Sequence, residues 1–293
     1  MPRWIVLALI AAGCKKTPPA DTSPQGSAGS DLKATQGSDS GSGSGAGSPP
    51  PAAWKIDSQP VQLMCGEQPL PLPSPTAAGT KPERPLTHAE PIKACQDQAS
   101  VAAVCDCLAR SIKDWGGGLE LSPEVRCEPQ APASPDAQIV MVSSKPADES
   151  TSGGEAFLFV AKRGQAWSPV AVIEAAPDVD LSVTPKASHT AKLDRVESHG
   201  NLYWIESHNE AQEKEMGDSN RDGEAHGSVC AIGAAPWCGR LLLGAWTYAF
   251  TPATSECTIT KVTTYSATLS EKSLTLRLDH GIDEAGATGS YSF

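Results

Sequence analysis

The stretch with the clearest chemical spacing is Asp218-Ser-Asn220-Arg-Asp222-Gly223-Glu224. It matches the first half of a calcium loop, in which oxygens at alternate positions converge on a hard cation and a glycine permits the sharp turn. Asp218, Asn220 and Asp222 would supply side-chain oxygens and Glu224 a backbone carbonyl. Seven acidic and two basic residues between Glu206 and Gly227 would favour a cation there. The match stops at His226 and Val229, which stand at the ninth and twelfth positions, where an EF-hand places a ligand and a bidentate Glu. The plain reading of the stretch is a solvated acidic hairpin loop between strands, with calcium as its one cofactor candidate. His199, His208 and His226 carry metal-ligating chemistry, but none has the i, i+4 partner of a zinc helix.

Cysteine is the other reactive residue type. Beyond Cys14 there are eight: Cys65, Cys95, Cys105, Cys107, Cys127, Cys230, Cys238 and Cys257. An even number in an exported chain predicts disulfides. Five precede residue 130 and three follow it, so complete pairing requires at least one bridge between the two parts. Cys105-Asp-Cys107 lacks the Cys-x-x-Cys spacing of a redox pair and has no nearby His for zinc, which makes it a structural staple. The sequence contains no Gly-x-Ser-x-Gly elbow, dinucleotide fingerprint or phosphate loop, so no catalytic residue is assigned.

The compartment follows from the N-terminus. Arg3 is followed by the apolar run Trp4–Ala12. At about 1.5 Å per residue this run spans about 14 Å, the h-region of a signal peptide and too short for a transmembrane helix. Ile10-Ala-Ala-Gly13-Cys14 resembles the lipobox of bacterial lipoproteins, with Ala11 where Leu is usual. In that family signal peptidase II cleaves before the cysteine, which then carries the lipid. The resemblance implies residues 1–13 as signal peptide and Cys14 as the lipidated residue. Lys15, where Asp would signal inner-membrane retention, implies the outer membrane, at its periplasmic face or the cell surface. Several acyl chains, each buried methylene contributing about 0.8 kcal/mol, would hold the protein permanently at the membrane.

Residues 14–53 are Gly-, Ser- and Pro-rich and include Gly41-Ser-Gly-Ser-Gly-Ala-Gly-Ser48. Such a composition predicts a disordered tether with a typical end-to-end distance of roughly 35 Å. Loss of Arg3 with the leader leaves 22 basic against 34 acidic side chains. An excess of negative charge on that scale argues against nucleic acid as a partner. The membrane, through the lipid, and an envelope protein or polysaccharide are the partners the sequence suggests.

Residues 54–130 read as a cysteine-rich helical segment. Thr87-His-Ala-Glu90 matches a capping box, and apolar or small residues recur every three or four positions from Ile92 to Trp115. The spacing predicts one helix ending at Gly116-Gly-Gly118, with Cys95 and Cys105 on its buried face about 15 Å apart. Before it, Val61–Met64 reads as a short strand.

Residues 131–293 change to a period of two. Strands are predicted at 138–143, 155–161, 169–174, 201–206, 228–232, 240–250, 257–266, 273–279 and 289–293. Phe157–Val160 is apolar on both faces, as a covered strand requires. Trp246, Tyr248 and Phe250 share one face of a strand; exposed, they would stack on sugar rings, but aromatics are only 5% of the chain and a core needs them.

The fold class is therefore α+β, with a disulfide-stapled N-terminal helix and a mostly antiparallel, sandwich-like β domain after the tether, the two parts forming one unit. The function expected is a membrane-anchored envelope lipoprotein with a binding or structural ectodomain. A hydrolase without a recognisable motif and a calcium-linked adhesion module are the alternatives. Paired buried carboxylates in a cleft would favour the hydrolase.

Overall fold

Strand periodicity dominates the chain after residue 125, and the backbone follows it. The computed structural model describes residues 54–76, 81–113, 125–130, 134–144, 151–152, 154–176, 179–180, 187–215, 218–284 and 286–293. Cys14, the tether and the predicted helix end at Gly116–Gly118 lie outside these residues. Ala53–Phe293 forms one compact unit by its internal contacts.

Four two-residue strands come first: β1 (Ile56–Asp57), β2 (Met64–Cys65), β3 (Gln68–Pro69) and β4 (Arg84–Pro85). The helix α1 (Val101–Lys113) follows. Next come β5 (Val125–Gln130), β6 (Ala137–Ser144), the two-residue β7 (Thr151–Ser152), β8 (Glu155–Arg163) and β9 (Ala166–Ala176). Of these, β5-β6-β8-β9 build a four-stranded antiparallel sheet, while β7 pairs with β10 (Val179–Asp180). The rest is a meander: β11 (Ala187–His199), β12 (Leu202–Glu215), β13 (Asp218–Ala231), β14 (Trp237–Thr251), β15 (Glu256–Leu269), β16 (Ser273–His280) and β17 (Gly289–Ser292). These seven are consecutive neighbours, with β4 added beyond β17 and β1 on β15, giving nine strands.

The layers follow from which side chains alternate inward. Phe157 and Phe159 of β8 pack with Ile139, Tyr203, Ile205 and Cys230, between the two sheets. Leu158 and Val160 face the other way, against Val104 and Leu108 of α1. The two-sided apolar strand is thus covered by the helix on one face and the large sheet on the other. The opposite face of the large sheet packs Trp204, Leu243, Trp246 and Leu276 against Ile56, Leu63 and Leu86 of the N-terminal segment. Gly164 takes a left-handed φ of 66° in the tight turn that joins β8 to β9.

The helix predicted from Thr87 onward is corrected. Residues 87–100 are not helical, and α1 begins after Ser100, whose Oγ accepts from Ala103 N at 3.1 Å as an N-cap. Pro91 explains the failed capping box, because it has no N–H to return to the Thr87 carbonyl. The backbone bonds instead to the sheets: Ala89 N to Cys238 O, Ile92 N to Val170 O and Gln98 N to Trp167 O. Cys95, at a left-handed φ of 59°, is therefore off the helix. The strand predicted at Val61–Met64 reduces to Met64–Cys65. The nine strands predicted after residue 131 are all present, most of them longer than expected, and β5, β7, β10 and β11 lie outside the predicted set.

Four cysteine pairs stand at disulfide distance: Cys65–Cys257, Cys95–Cys107, Cys105–Cys127 and Cys230–Cys238. Only Cys65–Cys257 crosses residue 130, as the odd count on each side requires.

Within the strands of the large sheet, a Cβ on Gly227 would stand 2.2 Å from the ring of the fully buried Trp204. Gly227→Ala is expected to destabilise the fold by about 3 kcal/mol, the range for overpacking a filled core. Denaturant unfolding followed by tryptophan fluorescence measures this, and an unchanged midpoint would mean that Trp204 does not lie across Gly227.

Candidate functional site

The loop expected around Asp218–Glu224 is not formed. Asp218–Ala231 is a strand paired on one side with β12 and on the other with β14, so the stretch is an arm of a hairpin and no loop. Alternate residues on a strand lie about 6.6 Å apart on one face, which does not wrap oxygens around an ion. Asp222 instead accepts from Thr247 Oγ1 at 2.9 Å across the sheet, Glu224 lies 3.4 Å from His226 Nε2, and Asn220 is exposed. The three histidines are also apart: His199 stacks on Trp54, His208 pairs with Asp194, and His226 pairs with Glu174. Among the described residues no group of three or more His, Cys, Asp or Glu is placed to hold a metal.

Two constellations of polar side chains emerge instead, one on each face of the β12–β13–β14 region. The first lies between the sheets. Glu174 of β9 is fully buried and accepts from Arg240 Nη2 at 2.7 Å, Asn209 Nδ2 at 2.9 Å and Ser207 Oγ at 3.2 Å. His226 Nδ1 is 2.9 Å from Glu174 Oε2, the oxygen that Ser207 also reaches, and His226 Nε2 reaches Glu224. One carboxylate of the small sheet therefore engages three consecutive strands of the large one. Burial alone would raise the Glu174 pKa; the hydrogen bond from His226 and the charge of Arg240 outweigh it and hold it at about 2. Glu224 is also held below the usual carboxylate range, first by its bond to His226. A carboxylate so fully committed stays ionised and is a cross-link between sheets.

The second constellation lines a pocket of about 350 Å³ on the opposite face. Its floor comes from the sheet register. Glu206, His208 and Glu210 of β12 stand opposite Gly227, Ala225 and Gly223 of β13. Gly223 in turn stands opposite Trp246 of β14. Small residues down the middle strand leave a trough, partly filled by the Trp204 ring over Gly227 and the Trp246 ring over Gly223. Residues 59–64 cross above it as a strap. At one end Gln59 N donates to Glu206 Oε1 at 3.1 Å; at the other Tyr248 Oη donates to Met64 O at 3.0 Å, next to the Cys65–Cys257 pair.

Every carboxylate of this pocket faces a base. Asp194 Oδ2 is 2.7 Å from His208 Nδ1, and Glu210 accepts from Arg221 at 2.9 Å. Glu206 accepts from Trp204 Nε1 at 2.7 Å and from Arg195 at 3.3 Å. Trp246 and Tyr248, placed on one face by the sequence, are both buried and form a wall of the pocket, while Phe250 is half-buried. They offer no exposed stacking platform. Sequence reasoning did not single out Glu174, Arg240, Asp194, Glu206 or Glu210. The one available signal was the density of acids between Glu206 and Gly227, which was assigned to a loop.

Comparison of the chain with family models, with curated proteins and with solved structures returns no match.

Proposed function

We propose that the protein is a lipid-anchored lipoprotein of the bacterial outer membrane whose ectodomain binds a ligand without converting it. Cys14 carries the lipid, residues 15–53 form the tether, and the four cysteine pairs are disulfides, two of which hold α1 to its surroundings. The location is supported by the leader and lipobox-like sequence together with the arrangement of the eight later cysteines as four pairs with none left over. That is the usage expected in an oxidising compartment.

The observation that carries a binding role is the pairing of Asp194, Glu206 and Glu210 with His208, Arg195 and Arg221. A glycosidase-type mechanism needs one carboxyl kept protonated as the general acid. Here each of the three carboxylates instead has a basic partner: His208 for Asp194, Arg195 for Glu206 and Arg221 for Glu210. The buried Glu174, for its part, lies outside the pocket on the other face of the sheet.

The anchoring half of this reading is tested by Cys14→Ala in a bacterial host with an outer membrane. The variant is expected to move from the membrane pellet to the soluble fraction, while the unaltered chain stays in the pellet until detergent is added. A variant that remains in the pellet refutes the lipid anchor.

A further inference from the structure

The β11–β12 and β13–β14 hairpins turn at the same end of the large sheet, and their last paired residues form one row. His199 stands opposite Leu202, Leu202 opposite Ala231, and Ala231 opposite Trp237. Directly paired residues share a face. Two positions further in on that face are Trp204 and Val229, both fully buried. The outer row is only partly covered. Leu202 and Trp237 pack against the core together with Trp54 and Phe293, and all four are half-buried. Trp54 stacks on His199 with ring centroids 4.4 Å apart, His88 stacks on Trp237 at 4.5 Å, and Phe293 tilts against Trp237 at 5.7 Å. Two tryptophans, a phenylalanine and a leucine thus rim one end of the sheet.

The turns beyond this rim are neutral. Residues 199–202 and 231–237 contain no Asp, Glu, Lys or Arg, in a chain where those types make up 19%. Gly200, Asn201, Gly233, Ala234 and Ala235 are exposed, and Ile232 N donates to Asn201 O at 2.9 Å, so the two tips project together. Glu197, the nearest acid along β11, is paired with Arg195. The next tip of the meander carries the exposed Glu271 and Lys272, and there the uncharged end stops. Half-exposed aromatic rings around an apolar rim are the side chains that settle where water meets lipid. A glycan platform would need open ring faces, and His199 and His88 already cover a face of each tryptophan.

We infer that this aromatic end docks on the bilayer that holds Cys14, with its rings at the boundary between headgroups and acyl chains. The occupant follows from where the outlying chain ends: residues 15–53 run from the lipidated cysteine into Trp54, itself a member of the rim. The tether makes docking intramolecular, at an effective concentration on the order of mM, so a small surface suffices. The acidic excess of the chain does not oppose it. At about 3.4 Å per residue, Glu210 and Glu213 lie about 27 and 37 Å from Leu202 along β12, several Debye lengths away. The inference rests on the reading of the protein as lipid-anchored, and it gives the anchored domain an orientation, with the acidic β12–β13 arms pointing away from the membrane.

The test reconstitutes the full lipidated chain in phosphatidylcholine vesicles, with and without bromine on the acyl chains, which quenches indoles on contact. The expected result is quenching of tryptophan emission in the brominated vesicles. Most of it should be lost in the joint variant Trp54→Phe/Trp237→Phe. The joint variant Ala234→Glu/Ala235→Glu places two charges on exposed tip positions, leaves the aromatic stacks in place, and should abolish the quenching too. This second variant keeps the test valid if the first fails to fold. No quenching, in a chain that floats with the vesicles, refutes docking and leaves the anchor standing. A chain that separates from the vesicles on flotation refutes the anchor and the docking with it. Quenching that survives the two glutamates puts the contact on another surface and overturns the inference. Emission that shifts with protein density in unbrominated vesicles, without quenching in brominated ones, assigns this end to a second copy and overturns it as well.

Discussion

Glu174→Gln is expected to lose about 3 kcal/mol of stability at neutral pH, and Glu174→Ala about 4 to 5 kcal/mol. Removing one partner of a buried, hydrogen-bonded ion pair costs about 3–5 kcal/mol, because the remaining charge is left without compensation. Here that charge is Arg240, whose Nη2 donates to Glu174 at 2.7 Å, while His226, Asn209 and Ser207 lose their common acceptor. The same contacts also set a pH dependence of similar size. The Glu174 pKa falls from 4.5 to about 2 on folding, against the burial that would raise it. At about 1.4 kcal/mol per unit this is about 3 kcal/mol. The folded-state pKa is depressed, so the contribution is complete above about pH 4.5 and disappears as pH falls toward 2. Denaturant midpoints from pH 7 down to pH 2 should therefore converge for the natural chain and Glu174→Gln in acid. A shallower acid slope should persist in the variant from Glu224 and from Asp283. Burial opposes ionisation of Asp283 as well, but the backbone N–H groups of Thr288 and Ala287 lower its pKa overall. Parallel curves at all pH values would show that the sheets are not joined through an ionised Glu174.

The reason Glu174 escaped the sequence also says what alternation can and cannot reveal. Val170, Ala171, Ile173 and Ala176 mark β9 plainly as a strand. Strict alternation from Ile173 would put Glu174 on the face away from the large sheet. A bulge intervenes: Phe157 pairs with Glu174 but Leu158 with Val172, leaving Ile173 as the extra residue and turning Glu174 inward. A one-residue irregularity has no compositional mark, yet it decides where the charge points. The long arms of β12 and β13 were missed for a different reason. Glu206–Glu215 carries too many charges to read as a strand, but pairing with β13 satisfies its backbone, and Gly227 and Gly223 opposite Glu206 and Glu210 leave room for those two acids in the trough. The segment before α1 was misread because helical spacing there came from residues whose backbone bonds to β9 and β14 instead. By contrast, Leu274, Leu276 and Leu278 alternate without interruption and are all buried. Where one face was apolar and no bulge intervened, the sequence was enough. The pocket depends on strand register and on a strap far away in the chain, and neither can be read from a single segment.

That strap is what the last prediction addresses. Cys65 and Cys257 are 192 residues apart, whereas Cys95 and Cys107 are separated by 12. Chain-entropy arithmetic gives about 5 kcal/mol for the long closure and about 3 kcal/mol for the short one. Joint replacement of Cys65 and Cys257 by Ala should therefore destabilise more than joint replacement of Cys95 and Cys107. For a unit of this size the long bridge is worth a fall in melting temperature of roughly 10 °C. The local consequence is larger than the global one. Residues 59–64 are held over the trough by Gln59 at one end and by the Tyr248–Met64 bond and Cys65 at the other. Loss of the bridge leaves that second end on the Tyr248–Met64 hydrogen bond, worth about 1 kcal/mol, and on the packing of Leu63. Hydrogen exchange at residues 59–64 should then rise well beyond what the fall in global stability accounts for, while exchange in β12 and β13 follows global stability alone. Non-reducing peptide mapping of the natural chain fixes the premise by recovering the 65 and 257 peptides as one species. Equal exchange in the strap and in the strands beneath it would mean that the strap is held by packing of Leu63 into the core, and that the pocket does not depend on the long bridge for its roof.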